Sequence, residues 1–220
     1  MACDVKVYTL RHTANKKKLP MRVKNVKVYP LAPVNKNFKY IDNMLKYALY
    51  DYLPQRYLKR ASFEQIDLDR RILDFKSGRR YATEWAARKM ARTLSLMDFS
   101  NTIVVCIPAS CSRTNNIRYK HFSEVLSERL GAVNGFGHIV VTGHRQKAHI
   151  SHVHELADGA NECYHIDEDF FRGKQVLVVD DITTTGKTAN AFIERMESVG
   201  AHVRMAMFLA KTKNYKYKSN

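Results

Sequence analysis

The sequence of 220 residues lacks a long apolar run. The longest, residues 103–109, has seven residues, whereas a membrane-spanning helix needs about 20. The first twenty residues contain three adjacent lysines and no apolar core, so we expect no secretion signal and no membrane segment. We therefore expect a cytoplasmic protein.

Cysteine and acidic residues are also scarce. The four cysteines include no CxxC pair, which argues against a structural zinc site or a disulfide framework and fits a reducing compartment. The chain has 21 Asp and Glu against 37 Lys and Arg, a formal charge of +16, and residues 1–60 hold 14 of the basic residues with only 3 acidic ones. Such an excess attracts polyanions.

The composition is otherwise that of a globular protein, with 45% hydrophobic and 26% charged residues. The basic N-terminal part predicts a β-hairpin, with strands at residues 5–10 and 21–29, followed by a helix at 41–52. Another helix is predicted from about residue 80 to 97. We divide the chain into a basic extension, residues 1–70, and a second domain, residues 71–220, which ends in a basic tail at 211–220.

The second domain predicts an α/β fold. Four strands are expected at residues 103–107, 138–142, 175–180 and 202–210, with helices after the first and third of them. The strands are short β-branched runs without alternation, which is typical of strands covered on both faces. The pattern indicates a mostly parallel sheet flanked by helices.

The most informative segment is VLVVDDITTTGKT at residues 176–188. A buried strand ends in Asp180 and Asp181, and a small hydroxylated loop then opens a helix. Loop amides and the positive helix end form an anion site, and Gly186 allows close backbone approach. The two carboxylates can accept hydrogen bonds from vicinal sugar hydroxyls. The segment therefore predicts a ribose 5-phosphate site, with an acidic strand end before a threonine-rich cap as the alternative.

A nucleoside-triphosphate P-loop is excluded, because that motif needs a glycine where this chain has Asp181. The segment instead resembles the phosphoribosyl pyrophosphate (PRPP) motif of type I phosphoribosyltransferases. Further segments resemble the ComF-like branch of that family: LDFKSG at 73–78, IPAS at 107–110 with Arg118 after it, and FFRGK at 170–174. The resemblance covers about residues 71–211 and implies the type I phosphoribosyltransferase fold, here with a basic hairpin and helix at the N-terminus.

The resemblance also implies roles for individual residues. Asp180 and Asp181 would hold the ribose hydroxyls and meet Mg²⁺ only indirectly, through Mg-PRPP. The 5-phosphate would be bound by Thr183, Thr184, Thr185, Gly186, Lys187 and Thr188. The loop at 109–113, with Ala109, Ser110 and Arg113, would contact pyrophosphate, and Arg118 would add a second cation. An ordinary basic connection is the alternative for this loop.

Lys147 and His149 lie where the family's mobile hood closes, and there they would protonate or screen pyrophosphate. Solvated loop charges are the alternative interpretation. The histidines at 144, 149, 152 and 154 are also close enough in sequence for a metal site, although they lack an HExxH spacing. Cys111 is either a reactive thiolate or a passive small side chain.

The chain departs from the resemblance at three places. The family's N-terminal zinc-binding cysteines are absent. YKHF at residues 119–122 replaces the family's Gly-Phe-Asn-Gln, so the acceptor remains unassigned. Thr184 stands where hypoxanthine-type enzymes carry an aspartate base, so we do not expect activity on 6-oxopurines.

Two functions follow from these observations. The first is a PRPP-binding phosphoribosyltransferase that transfers the 5-phosphoribosyl group to an unidentified nitrogen acceptor and releases pyrophosphate, with Mg²⁺. The second is a phosphoribosyltransferase-fold binding protein or effector without turnover. It would dock on nucleic acid or a ribonucleoprotein, in DNA uptake or defence, through the cations and aromatics of residues 1–60 and the tail. Similar enzymes often dimerise, so a homo-oligomer is compatible with both.

Overall fold

A computed structural model describes residues 39–41, 44–143 and 163–213. The hairpin predicted at 5–10 and 21–29 lies outside these residues. Lys147, His149, the four-histidine segment and the last residues of the basic tail also lie outside them. Among the described residues no helix is long and apolar enough to cross a membrane.

The described residues form a fold built on a six-stranded sheet. Its strands are β1 (Lys39–Ile41), β2 (Met44–Tyr52), β3 (Thr102–Cys106), β4 (Val133–Asn134), β7 (Gln175–Thr183) and β8 (His202–Thr212). They lie in the order β1-β2-β8-β7-β3-β4. Five strands are parallel, and only β1 runs antiparallel, at the edge beside β2. This arrangement confirms the predicted α/β fold with a mostly parallel sheet.

Helices cover both faces of the sheet. They are α1 (Phe63–Lys76), α2 (Arg80–Thr93), α3 (Ser112–Asn115), α4 (His121–Leu130), α5 (Glu168–Phe171) and α6 (Lys187–Ser198), with a π-helical turn at Asn116–Lys120 and 3-10 turns at Gln55–Arg60 and Phe136–His138. Side chains of α1, α2 and α4 pack with Leu177 and Val179 of β7 in one core cluster. Side chains of α5 and α6 pack with Val176 and Val178 in the other.

The helix predicted at residues 41–52 is wrong, because residues 44–52 form the strand β2. Met44 and Ala48 are buried in the cluster that includes α6, whereas Leu45, Tyr47 and Leu49 pack against the opposite cluster. A strand that is apolar on both faces has no period of two, and its apolar spacing cannot be told from that of a buried helix. Pairing with β8, which begins at Leu45 opposite Met205, decides the conformation.

The helix α1 was not predicted, although its start carries a recognisable signal. The Ser62 side chain accepts a hydrogen bond from the Gln65 amide at 3.3 Å, so Ser62 is the N-cap. Ser followed three residues later by Gln is the capping-box pattern. The predicted extension, residues 1–70, therefore includes β2 and half of α1, both packed in the same fold as β7 and β8. For the rest of the extension the division stays a prediction.

The strand predicted at 138–142 exists as β5 (Ile139–Val141), but it lies outside the central sheet. It pairs antiparallel with β6 (Tyr164–Ile166) in a separate two-stranded sheet. The position beside β3 is taken by the two-residue strand β4. The other predicted elements are confirmed: the strands β3, β7 and β8, and the helices α2, α4 and α6.

Candidate active site

The predicted site residues that the structure describes lie at the carboxyl edge of the central sheet. β7 and β3 are adjacent and parallel, so Asp180 and Asp181 on β7 lie beside the loop that leaves β3. The Ile107 amide, just after β3, donates to the Val179 carbonyl at 3.0 Å. Ligands of open α/β sheets bind at such strand ends. The edge therefore brings the acidic pair and the predicted pyrophosphate loop together.

Asp181 is buried, with 5% of its surface exposed, and both of its carboxyl oxygens have neighbours. Oδ1 accepts a hydrogen bond from the Ile182 amide at 2.5 Å. Oδ2 lies 2.8 Å from Nη1 of Arg118, an ion pair that does not meet the angles of a hydrogen bond. Arg118 was predicted as a pyrophosphate-binding cation, and the structure places it against this carboxylate.

Asp180 is less buried and differently bonded. Its Oδ1 accepts from the Tyr119 hydroxyl at 2.6 Å and from the Asp181 amide at 2.8 Å. Burial, and next the negative charge of Asp181, raise the pKa of Asp180 to about 8, although the hydrogen bond from Tyr119 acts in the opposite direction. The two acids are thus chemically distinct: one is ion-paired, and the other carries a strongly raised pKa.

Arg118 and Tyr119 both come from the π-helical turn that precedes α4. The Nε of Arg118 donates to the Lys76 carbonyl at 2.8 Å, and its guanidinium lies over the Tyr119 ring at 5.5 Å from the centroid. Burial is the main cause that raises the pKa of Tyr119 well above its usual value. Sequence reasoning missed Tyr119, for which no motif exists; its adjacency to Arg118 was the only signal. Single π-helical turns occur frequently at functional sites.

The predicted phosphate loop is an open turn at the start of α6. Thr184, Thr185, Lys187 and Thr188 are exposed, and Gly186 adopts φ +83° as the N-cap residue. Gly186 has no side chain to cap this helix. The Lys187 amide donates to the Thr185 hydroxyl at 3.4 Å, and the other amides of the first turn have no intrahelical acceptors. The positive end of α6 and its amides can therefore hold an anion beside Asp180.

The loop at 109–113 is held by a side chain that sequence reasoning missed. Asn115 is buried, and its Oδ1 accepts a hydrogen bond from the Ala109 amide at 2.9 Å. Arg113 is exposed, and Ser110 is half-buried in the same loop. The Thr114 hydroxyl, 3.2 Å from the Cys111 sulfur, is the main cause that lowers the pKa of Cys111.

Two further kinds of feature could form a site away from this edge: a cluster of metal-binding side chains or a cavity. Within residues 39–41, 44–143 and 163–213, no group of three or more His, Cys, Asp or Glu side chains is arranged to hold a metal ion. A separate cavity of about 510 Å³ is lined by residues that include His138, His165, Asp167 and Arg172. It contains none of the predicted site residues.

Comparison with known proteins gives consistent matches. The chain is 29% identical over 90 residues to an adenine phosphoribosyltransferase of Dichelobacter nodosus, which is 40% of this chain and 49% of that protein; it thus spans about half the length of this curated relative. Two solved structures are also similar. The adenine phosphoribosyltransferase of Thermoanaerobacter pseudethanolicus has 23% identity and a TM-score of 0.38 over 60% of this chain and 68% of that one. The orotate phosphoribosyltransferase of Mycobacterium tuberculosis has 16% identity and a TM-score of 0.35 over 61% and 76%.

The family assignment rests on the sequence model of a domain family. The model for the phosphoribosyl transferase domain matches residues 79–220, which is more than half of the chain and includes β3, the π-helical turn, β7 and α6. The matched segment contains both carboxylates and the whole loop at the start of α6. This chain therefore belongs to the phosphoribosyl transferase domain family.

Proposed function

We propose that this protein binds PRPP and transfers its 5-phosphoribosyl group to a nitrogen acceptor with release of pyrophosphate. The observation that carries the proposal is the edge of the sheet where a partly exposed carboxyl, Asp180, adjoins the open turn at the start of α6. The turn offers amide donors for a 5-phosphate. The carboxyl offers an acceptor for a sugar hydroxyl.

In this proposal each loop binds a different part of PRPP. Residues 183–188 bind the 5-phosphate, and Asp180 with Asp181 binds the ribose hydroxyls. The loop at 109–113 lies beside them after β3 and contacts pyrophosphate through its amides and Arg113. Arg118, held against Asp181, supplies a further positive charge near the leaving group. Lys147 and His149 stay in the proposal as hood residues, on sequence grounds alone.

The reaction is a substitution at the anomeric carbon. The acceptor nitrogen forms a bond to this carbon as the bond to the pyrophosphate oxygen breaks, and pyrophosphate departs with the electron pair. The acceptor nitrogen then loses its proton to water or to the departing pyrophosphate, which is basic enough to accept it. The protein's contribution is to orient the two reactants and to stabilise the growing negative charge with fixed donors and cations.

Magnesium fits this site as a companion of the substrate. Mg²⁺ in phosphate sites commonly takes one or two carboxylates together with substrate phosphates and waters, and the described residues offer two adjacent carboxylates without a complete protein cage. Asp180 is the carboxyl with exposed surface, so it would approach Mg-PRPP. When bound, the ion would neutralise charge on the departing pyrophosphate.

The test of binding is isothermal titration of PRPP with Mg²⁺ into the full chain and three variants. We expect Asp180→Asn to weaken PRPP binding about tenfold, because an amide replaces the carboxyl and a hydrogen bond to the sugar hydroxyl is lost. Asp181→Asn tests the second carboxyl. Asp169→Asn is the control, since this carboxylate is 89% exposed in its side chain and lies on α5. Unchanged affinity in both Asp180→Asn and Asp181→Asn would remove the pair from the site.

Turnover is tested by pyrophosphate release from PRPP over a panel of bases, nucleosides and nucleic acids. Adenine is the first acceptor of the panel, because the curated relative is an adenine phosphoribosyltransferase. Hypoxanthine is the comparison, since Thr184 stands where hypoxanthine-type enzymes carry an aspartate. Faster pyrophosphate release with hypoxanthine than with adenine would contradict the expectation that adenine is the better acceptor.

A second candidate function rests on the charge of the N-terminal part. Residues 1–60 carry 14 basic and 3 acidic residues, and this excess, interleaved with aromatics, suits contact with nucleic-acid phosphates and bases. In this candidate the ribose phosphate site is a ligand sensor or a remnant, and the protein acts on nucleic acid or a ribonucleoprotein. Membership of a ComF-like branch would agree with this role.

A further inference from the structure

The hydroxyl of Tyr119 is a buried polar group with a specific partner. Tyr119 is 1% exposed and packs among Phe75 and Phe122, with ring centroids 6.3 Å from each. Phenylalanine would fill this aromatic cluster without a polar atom to satisfy. A buried phenol needs a hydrogen-bond partner, and here the partner is Oδ1 of Asp180 at 2.6 Å.

The two donors to Oδ1 fix the orientation of the Asp180 carboxyl. The Tyr119 hydroxyl and the Asp181 amide both donate to this oxygen. No described residue donates to the other oxygen, Oδ2, and Asp180 is partly exposed. Rotation about the terminal bond of an aspartate is otherwise broad. Tyr119 therefore holds Oδ1 inward and leaves Oδ2 for a ligand.

Asp181 is less available than Asp180 to accept a hydrogen bond from a ligand. Its Oδ1 accepts from the Ile182 amide, its Oδ2 is paired with Arg118, and the residue is buried. The two adjacent acids thus differ in availability. The carboxyl that Tyr119 orients is the one that a sugar hydroxyl reaches without breaking an ion pair.

Resting on the proposed function, we infer that Tyr119 is a positioning residue that holds Asp180 ready to accept a hydrogen bond from a ribose hydroxyl. Tyr119 does not touch the substrate in this arrangement and acts only through the carboxyl. The site then distinguishes a pentose phosphate from a bare phosphate by an oriented acceptor. A site built to bond a hydroxyl discriminates strongly against ligands that lack it, because its acceptor is then left unpaired.

The test compares two probes, ribose 5-phosphate and inorganic phosphate, in titrations of the full chain. Both probes use the turn at the start of α6, but only the sugar reaches Asp180. We expect Tyr119→Phe to weaken ribose 5-phosphate binding about tenfold, the scale for the loss of one hydrogen bond, and to change phosphate binding less than about twofold. The ratio of the two affinities within one variant is independent of the folded fraction.

The matched control is Tyr81→Phe. Tyr81 is exposed and also donates its hydroxyl to a carboxylate, that of Asp74, away from the acidic pair. We expect this variant to leave both affinities unchanged. A second measurement adds Tyr119→Phe to Asp180→Asn, and we expect no further loss of ribose 5-phosphate affinity, because Tyr119 acts through Asp180.

The inference alone is overturned if Tyr119→Phe binds ribose 5-phosphate like the unmodified chain. It is also overturned if this variant loses affinity for both probes equally, which indicates a purely structural role. Full additivity of Tyr119→Phe and Asp180→Asn would also overturn it. If the unmodified chain binds phosphate but not ribose 5-phosphate, the proposed function fails, and this inference fails with it.

Discussion

At the scale of residues, the site contains two adjacent acids whose charged forms repel each other. Asp180 and Asp181 repel each other, and burial opposes the charge of both. Arg118 neutralises Asp181 at 2.8 Å, and the hydroxyl of Tyr119 stabilises Asp180 at 2.6 Å. The pKa of Asp180 nevertheless rises to about 8. Asp180 is therefore largely protonated below about pH 8, so the acidic pair carries fewer than two negative charges at neutral pH.

The ion pair between Arg118 and Asp181 gives a stability prediction. Arg118→Met should lower the free energy of unfolding by about 3 kcal/mol, because it leaves a buried charge unpaired. Adding Asp181→Asn should restore part of this loss, since the remaining charge is then removed. The measurement is urea unfolding of the single and double variants.

The control for that measurement is Arg71→Met on α1. Arg71 pairs with Asp67 at 3.0 Å, with both side chains nearly half exposed, so its loss should cost less than about 1 kcal/mol. Equal losses for Arg71→Met and Arg118→Met, or additive losses for the Arg118 and Asp181 changes, would contradict the prediction.

The residues of the site were predictable to different degrees. Asp180, Asp181 and the loop that follows form one continuous segment, so the sequence could place them together. Tyr119 meets Asp180 across 61 positions of the chain. Nothing local in the sequence indicates that contact, since it depends on how the π-helical turn packs against the end of β7.

At the scale of elements, the π-helical turn is positioned by a close approach of the turn between α1 and α2. A Cβ at Gly78 would lie 2.3 Å from Cγ2 and 2.7 Å from the carbonyl oxygen of Ile117, and Gly78 has φ +73°. Arg118, the next residue, donates to the Lys76 carbonyl of the same turn. A glycine at 78 therefore lets this turn support the residues that hold the acidic pair.

Gly78→Ala should destabilise the protein by about 3 kcal/mol. Roughly 1 kcal/mol arises from the left-handed backbone and the rest from overpacking against Ile117. Gly131→Ala is the matched control, because Gly131 has φ +63° with nothing within 4 Å of a Cβ, so only the backbone effect remains. Thermal and urea unfolding of both variants measure the difference, and equal losses would show that the contact with Ile117 is unimportant.

The incorrect prediction of a helix at β2 has a physical cause. β2 is apolar on both faces, so its spacing matches a helix as well as a buried strand. Its pairing with β8 joins residues about 160 positions apart, such as Leu45 and Met205. Long-range pairing of this kind overrides local preference. The start of α1 was recognisable from Ser62 and Gln65, a local signal that the fold uses.

At the scale of the whole molecule, charge is unevenly distributed along the chain. The second candidate function predicts that the basic residues before β2 bind nucleic acid. Removing residues 1–60 is a poor test, because β2 would be lost from the sheet. Charge reversal in the full chain avoids this difficulty.

The variant Lys16→Glu, Lys17→Glu, Lys18→Glu should weaken binding of single-stranded nucleic acid. It should also reduce the salt dependence of that binding by about one unit for each phosphate that the protein no longer neutralises. The control is Arg88→Glu, Lys89→Glu, Arg92→Glu, which makes the same change of charge on exposed residues of α2. Salt titrations of binding measure both. If the control weakens binding equally, net charge alone is responsible and the N-terminal segment has no special role.

The sequence by itself determined the α/β class, most strands and helices of the second domain, and the continuous segment from Asp180 to Thr188, whose chemistry stays a prediction. These features are local, since hydrophobic runs, glycines and adjacent side chains express them within a few residues. The tertiary structure alone decided that β2 joins the sheet, that Arg118 pairs with Asp181, and that the Tyr119 hydroxyl donates to Asp180. Each of those depends on packing between distant segments, where burial and the need to satisfy buried polar groups outweigh local pattern.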